Sequence, residues 1–118
     1  MQNETIKSEN SNDIRKRVNQ ARHIQIERYK KYGFFSNSEI PTKLISKYCN
    51  LDLNCKKILE SAFEKLGLSA RAYTKILKVA RTIADLDNSH NIYTSHISEA
   101  IQYRSLDRKY WRWLFWFK

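Results

Sequence analysis

The sequence predicts an all-α fold, a small bundle of four to five helices. The chain has only 2 Gly and 1 Pro among its 118 residues, fewer than parallel sheets, β-hairpins or Gly-rich ligand loops use. Hydrophobic residues make up 42% and charged residues 29%, a balance typical of a folded domain rather than a disordered chain. Apolar residues also recur at intervals of three and four, as they do along one face of a helix. The length is that of one domain with a single modest core.

The first helix is expected to follow a polar linker, residues 1–12, and to start near Asp13. Ser11, Asn12 or Asp13 is suited to the N-cap position. The apolar stripe of this helix consists of Ile14, Val18, Ala21 and then Ile24 or Gln25. Gly33 supplies a C-cap after Tyr32. The helix has seven Lys and Arg against two acidic residues, so that 7 − 2 = +5 of the chain's formal charge of +10 lies on it.

Two more helices are expected between Gly33 and Gly67. Phe34 to Ile40 reads as a loop, and Pro41 suits the first turn of a short second helix that runs to about Tyr48. Asp52 can cap a third helix, which Gly67 closes. The apolar stripe of the third helix is Ile58, Leu59, Ala62, Phe63 and Leu66.

The fourth helix, about residues 70–86, has the most regular pattern, and Ser69 can cap it. Its expected core face consists of Tyr73, Ile76, Leu77, Ala80, Ile83 and Ala84. Its expected polar side consists of Arg71, Lys75, Lys78 and Asp85. After a turn at residues 87–93, Thr94 or Ser95 is suited to cap a fifth helix with Ile97, Ala100 and Ile101 on its apolar face.

The sequence lacks the motifs of independent catalysis. With Gly33 and Gly67 as the only glycines, no Gly-x-x-x-x-Gly-Lys-Ser loop exists, so the chain does not contain a self-sufficient P-loop ATPase. The histidines do not form a metal-binding pair, and Cys49 and Cys55 are not a Cys-x-x-Cys pair. We therefore expect no metal site, and we expect both cysteines to be small core or half-buried residues.

The segment from Gly67 to Tyr73 is the most informative one. A glycine C-cap followed at once by a serine N-cap predicts a tight corner between two helices. Arg71 then lies in the first turn of the new helix, where a cation opposes the helix dipole. The placement becomes favourable if an anion is shared by the free backbone N–H groups and the guanidinium. The alternative is a solvated arginine on an exposed turn.

Several separated blocks of the sequence resemble one family. The central block is LGLSARAY (residues 66–73) followed by ILKVARTIADL (residues 76–86). The others lie at residues 14–28, 48–52, 96–104 and 106–108. Over about residues 11–108 the chain resembles the C-terminal domain of magnesium-chelatase-related ATPases, especially the ComM/YifB-like competence proteins.

The resemblance implies an AAA+ lid-type domain, residues 13–108, that follows a P-loop ATPase core in a hexameric motor. The sensor-2 arginine of such lids, which contacts the γ-phosphate of ATP, corresponds to Arg71, with Ser69 and Lys75 as auxiliary anion contacts. This chain alone would bind no cofactor and would not be an enzyme; ATP and Mg would bind the assembled parent ATPase. The core would be on the same or a separate chain. The resemblance also implies action on DNA, such as branch migration during transformation and recombination.

The basic residues of the first helix allow two interpretations. The candidates are Arg15, Arg17, Arg22 and Arg28. They would either dock against the ATPase core or a neighbouring subunit, or contact DNA phosphates. Docking is favoured because Arg22 and Gln25 are interspersed with the apolar stripe. A rival hypothesis for the whole chain is a free-standing basic helical DNA-binding module.

The C-terminal tail, residues 109–118 (KYWRWLFWFK), contains all three tryptophans and departs from the family pattern. Three interpretations stay open: a terminal helix packed on the lid, an interfacial anchor, or an extension without a selected role. No signal peptide is recognisable, and no apolar run reaches the roughly 20 residues of a membrane-spanning helix. We therefore expect a cytoplasmic protein without a membrane partner.

Overall fold

The computed structural model describes residues 11–106, with side chains through Tyr103. Within that range the chain forms five α-helices and no strand, which confirms the all-α prediction. The helices are α1 (Ser11–Tyr29), α2 (Thr42–Tyr48), α3 (Leu53–Leu66), α4 (Ala70–Leu86) and α5 (Thr94–Leu106). The predicted tail at residues 109–118 lies outside the described residues.

Helix α1 includes Ser11 and Asn12, which lie at the edge of the described residues. A 3₁₀ turn, Lys30–Tyr32, continues it, and Gly33 ends it with a positive φ of 84°. Its buried residues are Val18, Ala21, Gln25 and Tyr29. Ile14 was expected in this stripe but is 43% exposed, because residues 11–17 extend beyond the core.

Residues 34–40, expected as a loop, contain a short 3₁₀ turn, Asn37–Glu39. Pro41 directly precedes helix α2 in an extended conformation instead of lying in its first turn. Helix α3 has the predicted termini: the carboxylate of Asp52 accepts the N–H of Cys55 at 2.8 Å, and Gly67 adopts the left-handed conformation at φ 62°.

Helix α4 is the central element of the core. Ser69 caps it as expected. Every residue from 79 to 85 is buried, so the second half of the helix is surrounded by the rest of the bundle. The predicted polar side is correct for Arg71 and Lys75, which are exposed. It is wrong for Asp85, which is 1% exposed. Helix α1 and the 3₁₀ turn Asn37–Glu39 pack against α4, and they cover the side on which Asp85 lies.

Helix α5 packs against both α3 and α4 and closes the bundle. Thr94 and Ser95, the expected cap residues, lie within the first turn of the helix. The backbone N–H of Tyr93, just before the helix, donates to Nδ1 of His96 at 2.9 Å. The expected apolar residues Ile97 and Ala100 are fully buried. Cys49 and Cys55 are buried thiols, as the sequence predicted.

Candidate functional site

The candidate site is the corner between α3 and α4. Gly67 reverses the chain in the left-handed conformation, and Leu68 then inserts into the core with 8% exposure. The backbone N–H of Leu68 donates to the carbonyl of Phe63 at 3.1 Å, which ties the corner to the end of α3. The Phe63 and Tyr73 rings meet edge to face at a centroid distance of 5.7 Å across the corner. The start of α4 is thus held in a fixed position.

Ser69 completes the helix start. Its Oγ accepts the N–H of Ala72 at 3.1 Å, and its carbonyl accepts the N–H of Tyr73 at 2.9 Å. The first-turn N–H groups of Ala70 and Arg71 have no acceptor within the helix, because no residue of α4 precedes them at the required spacing. The Ser69 hydroxyl keeps its own proton available for a further contact.

Arg71 extends from this helix start into solvent. It is exposed, and it makes no hydrogen bond or ion pair with any residue in the described range. Lys75, four residues later and therefore on the same side of α4, is also exposed. The structure thus places the three predicted anion contacts, Ser69, Arg71 and Lys75, within the first two turns of one helix.

Lys78, one turn further along α4, contacts another part of the fold. Its Nζ donates to the carbonyl of Ser38 at 3.2 Å, and the side chain is half-buried. Burial lowers the pKa of Lys78, and the neighbouring charge of Lys75 lowers it further. Lys78 therefore connects α4 to the turn Asn37–Glu39, and the free cations lie towards the start of the helix.

The basic residues of α1 divide into two groups. Arg15, Arg17 and Arg22 are exposed, and Nε of Arg17 donates to the carbonyl of Leu86 at 3.5 Å. Arg28 was expected on a docking or DNA-facing surface, but its guanidinium lies inside the bundle, against the carboxylate of Asp85 at 2.7 and 2.9 Å. This part of the prediction is corrected, because a guanidinium in a bidentate internal ion pair is not available to a phosphate.

A buried polar network surrounds this ion pair, and no pattern in the sequence predicts it. The side chain of Asn37 donates to Thr82 at 3.0 Å and to Asp85 at 2.9 Å, and its backbone N–H donates to Gln25 at 2.9 Å. The hydroxyl of Tyr29 donates to the side-chain oxygen of Asn37. Several partners in this network are far apart in the sequence: Asn37 and Thr82 are separated by 45 residues, and Arg28 and Asp85 by 57. No local sequence pattern therefore indicates these contacts.

The electrostatics of the network agree with its geometry. Burial alone would lower the pKa of Arg28, but the hydrogen bonds and charge of Asp85 outweigh burial and raise the pKa above its ordinary value. Burial raises the pKa of the Tyr29 hydroxyl, so this group stays protonated and donates. The network therefore stabilises the bundle and offers no titratable group to a substrate.

Two features are absent from the described residues: a metal-binding cluster and a membrane-spanning helix. In the range 11–106 no three His, Cys, Asp or Glu side chains lie close enough together to hold a metal ion. In the same range no helix has both the length and the apolarity to cross a membrane.

Comparison with known proteins identifies the family. The family model described as magnesium chelatase, subunit ChlI C-terminal, matches residues 8–104. The chain belongs to this family. It is 43% identical over 108 residues to the competence protein ComM of Haemophilus influenzae, covering 92% of this chain and 20% of that protein. It is 41% identical over 102 residues to the protein YifB of Salmonella typhimurium, covering 86% of this chain and 19% of that protein.

YifB of Escherichia coli is 39% identical over 103 residues, which cover 87% of this chain and 20% of that protein. The chain thus spans about a fifth of the length of the curated relatives it matches. No solved structure matches it significantly. The family match confirms the predicted resemblance to the C-terminal domain of magnesium-chelatase-related and ComM/YifB-like proteins.

Proposed function

We propose that this chain is the lid of an AAA+ ATPase and that Arg71 is its sensor-2 arginine, which contacts the γ-phosphate of ATP. The observation that carries the proposal is the position of Arg71: an exposed guanidinium at the capped start of α4, without a partner in the described part of the chain. Membership in a family of magnesium-chelatase C-terminal domains supports it.

The residues at this helix start fit a phosphate group. The Arg71 guanidinium is a planar donor that binds two phosphate oxygens at once, which an ammonium group does not do. The free N–H groups of the first turn and the positive end of the helix dipole favour an anion at the same place. Lys75 adds a second cation, and the Ser69 hydroxyl adds a donor. ATP would supply the γ-phosphate, and the ATPase core would supply the P-loop and the Mg ion.

The rigid corner between α3 and α4 would couple the contact of Arg71 with the γ-phosphate to movement of the lid. A lid that binds triphosphate through Arg71 favours one orientation relative to the ATPase core, and loss of the γ-phosphate removes that preference. Because Leu68 and the Phe63–Tyr73 contact fix the start of α4 to α3, a displacement at Arg71 moves the whole bundle. The parent protein would be a hexameric motor acting on DNA in transformation or recombination. That the Haemophilus influenzae relative is a competence protein supports this part of the proposal.

A hybrid protein tests the role of Arg71. Residues 8–104 of this chain replace the matching segment of the Haemophilus influenzae competence protein, and ATP hydrolysis is measured. We expect Arg71→Ala to slow turnover about tenfold or more, since loss of one charged contact to the reacting phosphate costs about 1.4 kcal/mol or more. Arg71→Lys should retain part of the activity, because it keeps the charge and loses the bidentate geometry.

The matched control is Lys57→Ala, which removes an exposed cation from α3. The isolated Arg71→Ala chain should keep its helical circular dichroism and its thermal midpoint, since Arg71 has no partner within the described bundle. Turnover of the Arg71→Ala hybrid equal to that of the Lys57→Ala hybrid would overturn the proposal.

A further inference from the structure

Helix α3 has an apolar face that the described part of the bundle covers only in part. The sequence predicted a stripe along this helix that consists of Ile58, Leu59, Ala62, Phe63 and Leu66. Leu59 is fully buried, but Leu66 is 50% exposed and Phe63 is 36% exposed. Ile58 and Ala62 are half-buried. From Ile58 onwards, α3 therefore presents an apolar surface that a further segment can cover.

Part of this surface forms a groove between α3 and α5, which we call the α3–α5 groove. Its apolar lining consists of Ile58, Ala62 and Leu66 of α3 and of Ile101 of α5. Its volume is about 410 Å³. Pockets for small ligands have volumes of about 300–1,000 Å³, so a groove of this size suits a few large side chains.

The polar residues of the groove match one type of side chain in particular. Ser61 and Lys65 of α3 and Ser98 of α5 line the groove, and all three are exposed. A tryptophan combines a large apolar ring system with one N–H group that needs an acceptor when it is buried. A serine hydroxyl can supply this acceptor, and a lysine ammonium is attracted to the face of an indole ring. The lining of the groove therefore favours tryptophan as an occupant.

We propose that the aromatic tail of this chain, residues 109–118, folds back from the end of α5 and inserts tryptophan side chains into the α3–α5 groove. All three tryptophans of the chain are in the tail: Trp111, Trp113 and Trp116. Residues 113–117 are five apolar residues in succession. A tail that continued α5 straight into solvent would expose these rings on every side of the helix. The groove gives them an apolar surface to pack against.

The tail can reach the groove because it follows one of the groove's two walls. Leu106, at which the described part of α5 ends, lies five residues after Ile101, or about 8 Å further along the helix axis. Along α3 the groove runs from Ile58 to Leu66, a length of about 12 Å. Residues 107–118 span up to about 40 Å when fully extended. This length is enough to reverse direction after α5 and still cover the groove.

Covalent attachment favours the tail over an occupant from solution. A segment joined to its site by a short linker has an effective concentration on the order of millimolar. A second copy of the chain, at a concentration on the order of micromolar, competes poorly with such a segment. The proposal concerns the packing of the lid, and it goes beyond the contact of Arg71 with ATP and does not depend on it.

Tryptophan fluorescence of the full chain tests the proposal, because every tryptophan signal comes from the tail. Two variants block the groove from its opposite walls: Leu66→Lys on α3 and Ser98→Arg on α5. Both positions are exposed, so each variant should fold, which circular dichroism verifies. We expect both variants to shift the emission to longer wavelengths and to increase quenching by acrylamide, towards the values of the chain in urea.

The matched controls make the same changes outside the groove. They are Leu53→Lys at the start of α3, where Leu53 is 66% exposed, and Ser95→Arg at the exposed start of α5. Neither control should alter the emission. Equal shifts in the blocking and control variants, or a parent chain that emits as it does in urea, would overturn the proposal. Arg71→Ala should leave the emission unchanged, so a failure of the tail proposal and a failure of the sensor-2 assignment are distinguishable.

Nuclear Overhauser effects locate the tail directly. We expect cross-peaks between the indole protons and the methyl groups of Ile58 and Ala62, and we expect Leu66→Lys to abolish them. In a mixture of isotope-labelled and unlabelled chains, these cross-peaks should arise within one molecule. Cross-peaks between molecules would make the occupant a second copy and reject the proposal. The absence of any such cross-peak in the parent chain would reject it as well.

Vesicles of phosphatidylcholine and phosphatidylglycerol distinguish the groove from an interfacial anchor. A tail held in the groove is not available to a membrane surface. The groove-blocking variants should therefore co-sediment with the vesicles more than the control variants, which carry the same added charge. Strong binding of the parent chain, equal to that of the blocking variants, would show that the groove does not hold the tail.

Discussion

The Arg28 guanidinium of α1 faces the Asp85 carboxylate of α4 in a bidentate pair, with N–O distances of 2.7 and 2.9 Å. Asp85 is 1% exposed, and a second guanidinium, that of Arg81, lies 3.2 Å from the same carboxylate. Asn37 donates to it as well, at 2.9 Å. One buried anion therefore joins α1, the turn Asn37–Glu39 and α4, and it compensates two largely buried cations.

Replacing the buried anion should be strongly destabilising. Asp85→Asn keeps the shape of the side chain but leaves Arg28 and Arg81 without a counter-charge. Breaking a buried pair in this way costs about 3–5 kcal/mol, a large part of the stability of a small domain. Urea unfolding followed by circular dichroism measures the loss. The control Glu60→Gln, at an exposed position of α3, should stay within about 0.5 kcal/mol of the parent chain.

Substitutions of Arg28 and Arg22 should have different effects on stability, although both are arginines of α1. Arg28→Ala should lower the free energy of unfolding by about 3 kcal/mol, because it leaves Asp85 with one fewer partner in the core. Arg22→Ala should change it by less than about 0.5 kcal/mol, because Arg22 is exposed. Only Arg22 is free to contribute to the salt dependence of polyanion binding. Equal stability of the two variants would contradict the internal role of Arg28.

Helix boundaries were predictable where a local signal sets them. As the sequence predicted, Asp52 caps the start of α3, Gly67 ends α3, and Ser69 caps the start of α4. Each of these residues acts on backbone groups only three or four residues away. The predicted corner between these two helices also implied that Arg71 lies at an exposed helix start, as it does in the structure. Its role in ATP binding remains a prediction, since that depends on groups beyond this chain.

Long-range pairing was not predictable from periodicity. Asp85 was expected on the solvent side because it follows the polar positions of α4, whereas in the fold Arg28 of α1 pairs with it in the interior. Arg28 is 57 residues away along the chain.

The conformation of Gly67 makes a specific prediction for stability. Its φ of 62° is unfavourable for any residue with a Cβ atom, while a Cβ added there would contact nothing within 4 Å. Gly67→Ala should therefore cost about 1–2 kcal/mol through the backbone alone. Gly67→Asn should cost less, because asparagine tolerates the left-handed region. Thermal unfolding compares the two, and an equal loss in both would show that packing rather than backbone conformation determines the effect.

The two thiols should be almost unreactive in the folded chain. Burial raises the pKa of Cys49 and of Cys55 to about 11. At pH 8 such a thiol is about 0.1% thiolate, whereas an ordinary cysteine is about one quarter thiolate. Reaction with a disulfide reagent such as dithionitrobenzoate should thus be at least about 100-fold slower than in urea. Single Cys49→Ala and Cys55→Ala variants show which labelling rate belongs to which thiol. Rapid labelling of either thiol in native buffer would contradict its burial.

The charge of Asp52 should make the stability of α3 depend on pH in a defined direction. Hydrogen bonds from Cys55, first of all its backbone N–H, hold the pKa of Asp52 below its ordinary value of about 3.9. A lowered native pKa means that the stabilisation is complete above the ordinary value and is lost as the pH falls through the native one. Asp52→Asn keeps a cap acceptor without the charge, so the variant should be less stable at pH 7 and approach the parent chain as the pH falls through the lowered pKa of Asp52. Urea midpoints of the parent chain and of Asp52→Asn, measured across this pH range, give the difference in stability. The other carboxylates are the same in both chains, so their titration cancels from the difference. A difference that is constant with pH would show that the cap hydrogen bond, and not the ionised carboxylate, is responsible.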